Sequence, residues 1–271
     1  MKIGIFDSGI GGTTVLKELL TFLPDEHYVY YSDSKNNPYG SKTHAEIEAL
    51  SLAATKFLLE KGCEITVIAC NTASAEAAEF LRAQFKGIPI FAIQPAIKQV
   101  YDNSNSKAYT LVLATAATLG SAKFRELVEK YPVENLVAID CNGLAELIEA
   151  GDESSIRDFL EEKLSFYKDK TANVVLGCTH YPLVTKEIRA VLGNEVCFFN
   201  GARGLARNLA DFIGDKKSPA GSGEIEFYDS SDSIITSLEL IQICSFLWMS
   251  NIPLYIHTSS FLSIHLSVKP L

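Results

Sequence analysis

Ile65-Thr66-Val67-Ile68-Ala69-Cys70-Asn71-Thr72-Ala73 is the stretch that indicates the fold most directly. An apolar run ends in a thiol and two small polar residues, and a helical pattern follows at once. This order is typical of a parallel β-strand that turns into a helix. Ligands and catalytic groups collect at the carboxyl ends of such strands. The stretch therefore predicts an α/β protein with Cys70 at a functional edge of a sheet.

A second stretch, Val174-Val175-Leu176-Gly177-Cys178-Thr179-His180, has the same pattern in the other half of the chain. Free cysteines are often simply buried in cores, so one thiol in this setting would carry little weight. A helix N-terminus lowers the pKa of a thiol, and the thiolate is the reactive form. Two thiols in matching settings predict a pair of acid/base groups that face each other across a cleft.

Composition excludes several classes of protein. The 271 residues are 47% hydrophobic and 21% charged, as in ordinary globular proteins. The formal net charge is −9 and no basic run occurs, which argues against a nucleic-acid partner. The six cysteines are scattered, without a CxxC pair or clustered histidines, so we expect reduced thiols and no metal site. No export signal precedes the first strand and no apolar run is long enough to span a membrane, so we expect a cytoplasmic protein without a membrane partner.

The order of elements predicts an internal duplication. A strand from residue 2 to 6 begins one series of βα units, and a strand from 111 to 114 begins another. We expect two pseudo-symmetric domains, each a mainly parallel sheet flanked by helices, with the active site in the cleft between them. The first domain would comprise residues 1–94 with 211–271, and the second residues 95–210. The tail after about residue 240 is atypical, because it lacks acidic residues and is apolar and Ser-rich. We expect a helix at 241–249 and a strand at 252–256 there.

Two thiols on opposite sides of a bound carbon can invert a stereocentre, because one removes a proton while the other delivers one. Asp7 is a candidate to accept the proton of Cys70 or to orient it. His180 is the candidate for the same role beside Cys178, and Glu149 could hold its imidazole. Neutral donors that could hold the carboxylates of a small substrate are Ser8, Asn71, Thr72, Thr115, Thr118 and Thr179. No Arg or Lys lies inside these motifs, so anion binding would depend on backbone N–H groups and helix dipoles.

Four motifs in this order resemble the glutamate racemase family. They are Phe6-Asp7-Ser8-Gly9-Ile10-Gly11-Gly12, Pro38-Tyr39-Gly40, Cys70-Asn71-Thr72-Ala73 and Gly177-Cys178-Thr179-His180-Tyr181-Pro182. The resemblance runs to about residue 240. It implies a homodimeric, cofactor-independent, two-base racemase that supplies D-glutamate for peptidoglycan. It also implies that Cys70 and Cys178 are the acid/base pair, assisted by Asp7, Glu149 and His180. The residues implied to contact substrate are Asp7, Ser8, Pro38, Tyr39, Gly40, Asn71, Thr72, Thr115, Thr118, Thr179 and His180.

Three alternatives remain open on the sequence. A racemase of the same superfamily that acts on aspartate or a hydantoin would share both cysteines, but such proteins generally lack a His directly after Cys-Thr. His180 therefore favours glutamate. In a thiol-nucleophile amidohydrolase one cysteine would form a covalent adduct and the other would be incidental. A non-catalytic amino-acid-binding protein would need neither thiol, and the presence of both argues against it.

Overall fold

The computed structural model describes residues 1–104, 106–216 and 223–231, together with two strands near the C-terminus. The strands are β1 (Lys2–Asp7), β2 (His27–Ser32), β3 (Ile65–Ile68), β4 (Ile90–Ala92), β5 (Tyr109–Ala114), β6 (Leu136–Asp140), β7 (Thr171–Leu176), β8 (Cys197–Asn200), β9 (Glu224–Asp229), β10 (Leu254–Thr258) and β11 (Ile264–Val268). The helices are α1 (Thr13–Phe22), α2 (His44–Glu60), α3 (Asn71–Gln84), α4 (Ile97–Asn103), α5 (Ala116–Gly120), α6 (Ala122–Lys130), α7 (Leu144–Ala150), α8 (Glu153–Leu164), α9 (Thr185–Leu192) and α10 (Ala202–Ile213).

The strands form two sheets whose central parts have the same order. One sheet runs β10-β11-β9-β2-β1-β3-β4 and the other β6-β5-β7-β8. The segment β2-β1-β3-β4 therefore has the order of β6-β5-β7-β8. All neighbouring strands are parallel except for the pairs made by β11. The predicted α/β class, with two mainly parallel sheets flanked by helices, is confirmed.

Each sheet is buried on both faces because its central strands are almost wholly apolar. Ile3 and Ile5 of β1 pack toward α1 and α10, whereas Phe6 on the opposite face packs toward α2 and α3. In the second sheet, Leu111 and Leu113 of β5 face the cluster built with α7, α8 and α9. Val112 between them points to the side of α4 and α6. This alternation follows from the two-residue period of a strand.

The packing of α10 bears on the division of the chain. Its residues Leu205, Leu209 and Ile213 are buried with Ile3 and Val15 in the core of the first sheet. The division into a first domain of residues 1–94 with 211–271 and a second domain of residues 95–210 stays a prediction. The contacts of α10 are with the first of these domains.

The tail contributes two strands to the first sheet. β10 pairs with β11, and β11 pairs with β9, both in antiparallel register. The strand expected at 252–256 coincides in part with β10, and the helix expected at 241–249 lies outside the described residues. Among the helices that the structure describes, none is long and apolar enough to cross a membrane.

Candidate active site

Cys70 lies two residues beyond the end of β3 and caps the N-terminus of α3. Its Sγ accepts a hydrogen bond from the backbone N–H of Ala73 at 3.5 Å. The residue is buried, and burial together with the nearby Asp7 carboxylate raises the pKa of the Cys70 thiol to about 12. The thiol is therefore protonated near neutral pH, and a nearby positive charge would favour the thiolate.

Cys178 occupies the corresponding position after β7 in the second sheet. Its Sγ lies 3.6 Å from Nδ1 of His180. Burial lowers the pKa of His180, but hydrogen bonds with Cys178 and with Glu149 outweigh it and raise the pKa well above its usual value. His180 is consequently an imidazolium near neutral pH. A cation beside a thiol stabilises the thiolate form.

Both thiols line one cleft between the two sheets. The cleft encloses about 480 Å³ when the open space at its mouth is included. Among the described residues that line it, none is Lys or Arg. Expected site residues that line it are Ser8, Pro38, Tyr39, Gly40, Cys70, Asn71, Thr72, Thr115, Cys178, Thr179 and His180. Asp7, Thr118 and Glu149 lie behind this lining and contact members of it.

Asp7 ends β1 and is fully buried. Its Oδ2 accepts hydrogen bonds from the backbone N–H groups of Gly9 at 3.2 Å and Gly12 at 3.0 Å. The hydroxyl of Thr179 donates to Oδ1 at 3.2 Å, so the carboxylate joins the first sheet to the loop of Cys178. Burial raises the pKa of Asp7 to about 6, with His180 and the two N–H groups acting against the rise.

Glu149, on α7, holds the far side of the imidazole. Nε2 of His180 donates to Glu149 Oε1 at 2.7 Å. The backbone N–H of Ile10 donates to the same oxygen at 3.2 Å, and Nδ2 of Asn37 donates to Oε2 at 2.5 Å. A carboxylate beside Nε2 fixes the orientation of the ring and stabilises its cationic form. A series of side-chain contacts, from Glu149 to His180 and from His180 to Cys178, thus connects the back of the site with the thiol.

Three threonine hydroxyls form a buried cluster at the floor of the cleft. Thr72 Oγ1 lies 3.0 Å from that of Thr115 and 3.5 Å from that of Thr118, and the last two are 3.0 Å apart. Thr72 comes from the start of α3, and Thr115 follows β5. A hydroxyl can donate or accept, so the cluster can turn its donors toward a carboxylate in the cleft.

The loop that carries Pro38, Tyr39 and Gly40 forms one wall of the cleft. The hydroxyl of Tyr39 is committed to Asp33, to which it donates at 2.6 Å. Tyr39 therefore presents its ring and backbone to the cleft rather than a free hydroxyl. By contrast, the buried Oδ1 of Asn71 has no hydrogen-bond partner among the described residues. A buried polar atom of this kind is costly unless a ligand or water satisfies it.

Seven further residues line the cleft that the sequence reasoning did not select: Asn37, Ser41, Cys141, Asn142, Gly143, Ala145 and Glu146. Those at 141–143 directly follow β6. The rule that ligands collect at strand ends, applied to that strand as well, could have found them. Asn37 precedes a motif that was selected, but nothing local marks its contact with Glu149.

The described residues also contain no group of three or more His, Cys, Asp or Glu that could hold a metal ion. What the site does offer is two thiols from matching strand ends, one beside a carboxylate and the other beside an imidazolium. Such a pair can remove a proton from one face of a carbon and return one to the other.

Comparison with known proteins agrees with this geometry. The family model for Asp/Glu/hydantoin racemases matches residues 5–203. Glutamate racemase of Clostridium perfringens is 41% identical over 251 residues, covering 89% of this chain and 96% of the relative. The structure of Escherichia coli glutamate racemase with L-glutamate and the activator UDP-MurNAc-Ala has a TM-score of 0.79 at 28% identity, covering 91% and 94% of the two chains. That of Aquifex pyrophilus glutamate racemase has a TM-score of 0.74 at 35% identity, covering 90% and 95%.

Proposed function

The chain belongs to the Asp/Glu/hydantoin racemase family. We propose that it interconverts L- and D-glutamate by a two-thiol proton transfer that needs no cofactor. The observation that carries the proposal is the placement of Cys70 and Cys178 at equivalent strand ends of two sheets, lining one cleft. The similarity to glutamate racemases over most of the chain favours glutamate as the substrate.

In the direction from L to D, the Cys178 thiolate removes the proton from Cα of L-glutamate. The electron pair of the broken C–H bond is delocalised toward the α-carboxylate, and the Cys70 thiol delivers its proton to the opposite face of the same carbon. The reverse direction uses Cys70 as the base. His180 assists Cys178 because its imidazolium lies 3.6 Å from Sγ and stabilises the thiolate.

Asp7 assists the other thiol. Its carboxylate, with a pKa of about 6, is mostly ionised near neutral pH and raises the pKa of Cys70. The ammonium group of a bound amino acid would be attracted to Asp7 and would stabilise the neighbouring thiolate. Binding of the substrate would thus bring a positive charge close to Cys70.

The carboxylates of the substrate would be held by neutral groups. The N-terminus of α3 presents backbone N–H groups at Asn71 and Thr72, and its dipole favours an anion. The Thr72, Thr115 and Thr118 hydroxyls supply donors at the floor. The Oδ1 atom of Asn71, an acceptor without a partner among the described residues, would instead suit the ammonium group of the substrate. Ser8, Thr179 and the Pro38-Tyr39-Gly40 wall complete the enclosure.

The proposal extends to the setting of the enzyme. D-glutamate would serve peptidoglycan synthesis, in the cytoplasm, and the active protein would be a homodimer. We also propose that the first domain includes α10, because that helix is buried in the core of the first sheet.

Incubation of the purified protein with L-glutamate alone, followed by chiral analysis, tests the function. We expect an equal mixture of enantiomers, since the two have the same energy, and full activity after dialysis against a chelator. Activity that appears only after pyridoxal phosphate is added, or racemisation of aspartate but not glutamate, would overturn the proposal. Cys70→Ser and Cys178→Ser serve as matched inactive controls.

A further inference from the structure

Asn37 contacts the catalytic machinery from a position that the family motifs do not cover. It precedes the Pro38-Tyr39-Gly40 wall and lines the cleft. Its Nδ2 donates a hydrogen bond of 2.5 Å to Oε2 of Glu149. Glu149 lies 112 residues further along the chain, on α7, so this bond joins a loop of the first sheet to a helix of the second.

The two oxygens of Glu149 have different partners. Oε1 accepts from His180 and from the backbone N–H of Ile10, so it is held on two sides. For Oε2, Asn37 is the one donor among the described residues. A carboxylate that accepts hydrogen bonds at only one oxygen can still rotate about its Cγ–Cδ bond, whereas a donor at each oxygen fixes the plane of the group. Asn37 therefore decides the orientation in which Glu149 meets His180.

The loop of the first sheet is shaped to admit the Glu149 carboxylate. A Cβ added at Gly9 would lie 1.9 Å from Glu149 Oε1 and 3.3 Å from Asn37 Nδ2. Any larger residue at this position would occupy the space of the carboxylate. The Glu149 carboxylate is thus enclosed by Gly9, Ile10 and Asn37. All three residues belong to the part of the chain before residue 95.

We propose that Asn37 is a positioning residue that orients Glu149, and through it His180, when the two halves of the site lie against each other. Separation of the halves would break the Asn37 and Ile10 bonds together and leave the imidazole without a fixed carboxylate. Closure of the cleft would therefore be linked to the activation of Cys178. Asp7, beside Cys70, would keep its hydrogen bonds from the N–H groups of Gly9 and Gly12 and lose only the one from Thr179. This inference rests on the proposed racemase function.

The test must separate the two thiols. Because the enantiomers of glutamate have equal energy, kcat/KM for racemisation is the same in both directions in every variant, and overall rates cannot show an asymmetry. Glutamate with a leaving group on Cβ avoids this constraint. A thiolate removes the Cα proton, the electron pair forms the Cα–Cβ double bond, and the leaving group departs with its bonding electrons. The enamine becomes an imine, which water hydrolyses to a 2-oxo acid and ammonia, both measurable.

Elimination from the L-analogue depends on Cys178 and elimination from the D-analogue on Cys70. We expect Asn37→Ala to slow the L-reaction by roughly 10- to 100-fold, in the range for losing a hydrogen bond to a charged group. The D-reaction should change less than threefold. Asn37→Gln, which retains the amide donor, should recover part of the L-rate. Gly9→Ala should also slow the L-reaction, because its Cβ would displace the Glu149 carboxylate from the other side.

Asn36→Ala is the matched control. Asn36 is the neighbouring amide, but its Nδ2 donates to Asp33 at 2.9 Å and not to Glu149. A general loosening of the loop would appear in both Asn variants and with both enantiomers. Equal losses of the L- and D-reactions in Asn37→Ala, matched by Asn36→Ala, would overturn the inference.

A spectroscopic measurement makes the test independent of turnover. The titratable groups that face His180 are Glu149, Cys178 and Asp7. With ¹⁵N-labelled histidine, the His180 signals, assigned by their loss in His180→Asn, report its protonation. We expect Asn37→Ala to lower the pKa of His180 and Asn36→Ala to leave it unchanged. Unaltered signals in Asn37→Ala would contradict the inference. A wild-type protein that processes neither analogue would instead contradict the proposed function.

Discussion

Asp7→Asn should make the protein more stable at neutral pH while it removes catalytic assistance from Cys70. The amide oxygen of Asn can accept the hydrogen bonds that Gly9 and Gly12 donate to Oδ2. The amide nitrogen can donate to Thr179 Oγ1, which now donates to Oδ1 at 3.2 Å. The substitution therefore keeps the local contacts and removes only the negative charge, which is fully buried.

The magnitude follows from the pKa of Asp7, which burial raises from 3.8 to about 6. The folded protein binds this proton more tightly than the unfolded chain, so the Asp7 contribution to the unfolding free energy falls as pH rises from about 4 to about 6. A shift of this size corresponds to roughly 3 kcal/mol. Asp7→Asn should match the wild type near pH 4 and exceed its unfolding free energy by up to roughly 3 kcal/mol at pH 7.5.

Urea denaturation at pH 4.5, 6 and 7.5 measures this difference, and racemisation rates are taken on the same samples. Activity should fall by roughly 10²- to 10⁴-fold, the usual contribution of acid–base assistance. Asp152→Asn is the control: hydrogen bonds from Ser155 lower the pKa of that exposed carboxyl to about 2, so its effect should be constant over this pH range. A difference between Asp7→Asn and the wild type that does not grow with pH would refute the reasoning.

Two further predictions concern the site itself. Cys70→Ser and Cys178→Ser should each lose nearly all racemisation, because a hydroxyl is far harder to ionise than a thiol. Cys70→Ser should still catalyse elimination from the L-analogue, and Cys178→Ser should still catalyse it from the D-analogue. The same preference in both variants would contradict the assignment of the two thiols. Gly11→Ala should abolish activity with little effect on helix content, because the added Cβ would lie 2.5 Å from His180 Nδ1 and 2.6 Å from Thr179 Oγ1. Near-normal racemisation in this variant would show that the loop of Gly11 and the loop of Thr179 need not pack so closely.

The sequence predicts the fold class well because the decisive signals are local. An apolar run followed by small polar residues marks β3 and β7, and their pattern already indicates parallel strands with thiols at the carboxyl ends. The strands β8 and β9 were missed. β8 has only four residues, without alternation. β9 carries Glu224, Glu226 and Asp229, and its place in the sheet comes from parallel pairing with the distant β2.

The site shows the same division between local and long-range information. The thiols and the residues next to them were found from their own surroundings, and the structure brings them to one cleft. Glu149 was a candidate to hold the imidazole of His180, but nothing near it in the chain indicates its other partners. Its contacts with Ile10, Asn37 and His180 span 139, 112 and 31 residues. The role of Asn37 became visible only when the two sheets were placed against each other.

Racemisation of L-glutamate in D₂O, stopped at low conversion, distinguishes two bases on opposite faces of Cα from a single base. Both enantiomers are separated and analysed by mass spectrometry. The account predicts that D-glutamate carries deuterium at Cα from the first turnovers, because Cys70 delivers a deuteron that it obtained from solvent. The remaining L-glutamate should keep its protium. D-glutamate that retains the original proton would show that a single base serves both faces, and would contradict the assignment of Cys70 and Cys178 to opposite sides of the substrate.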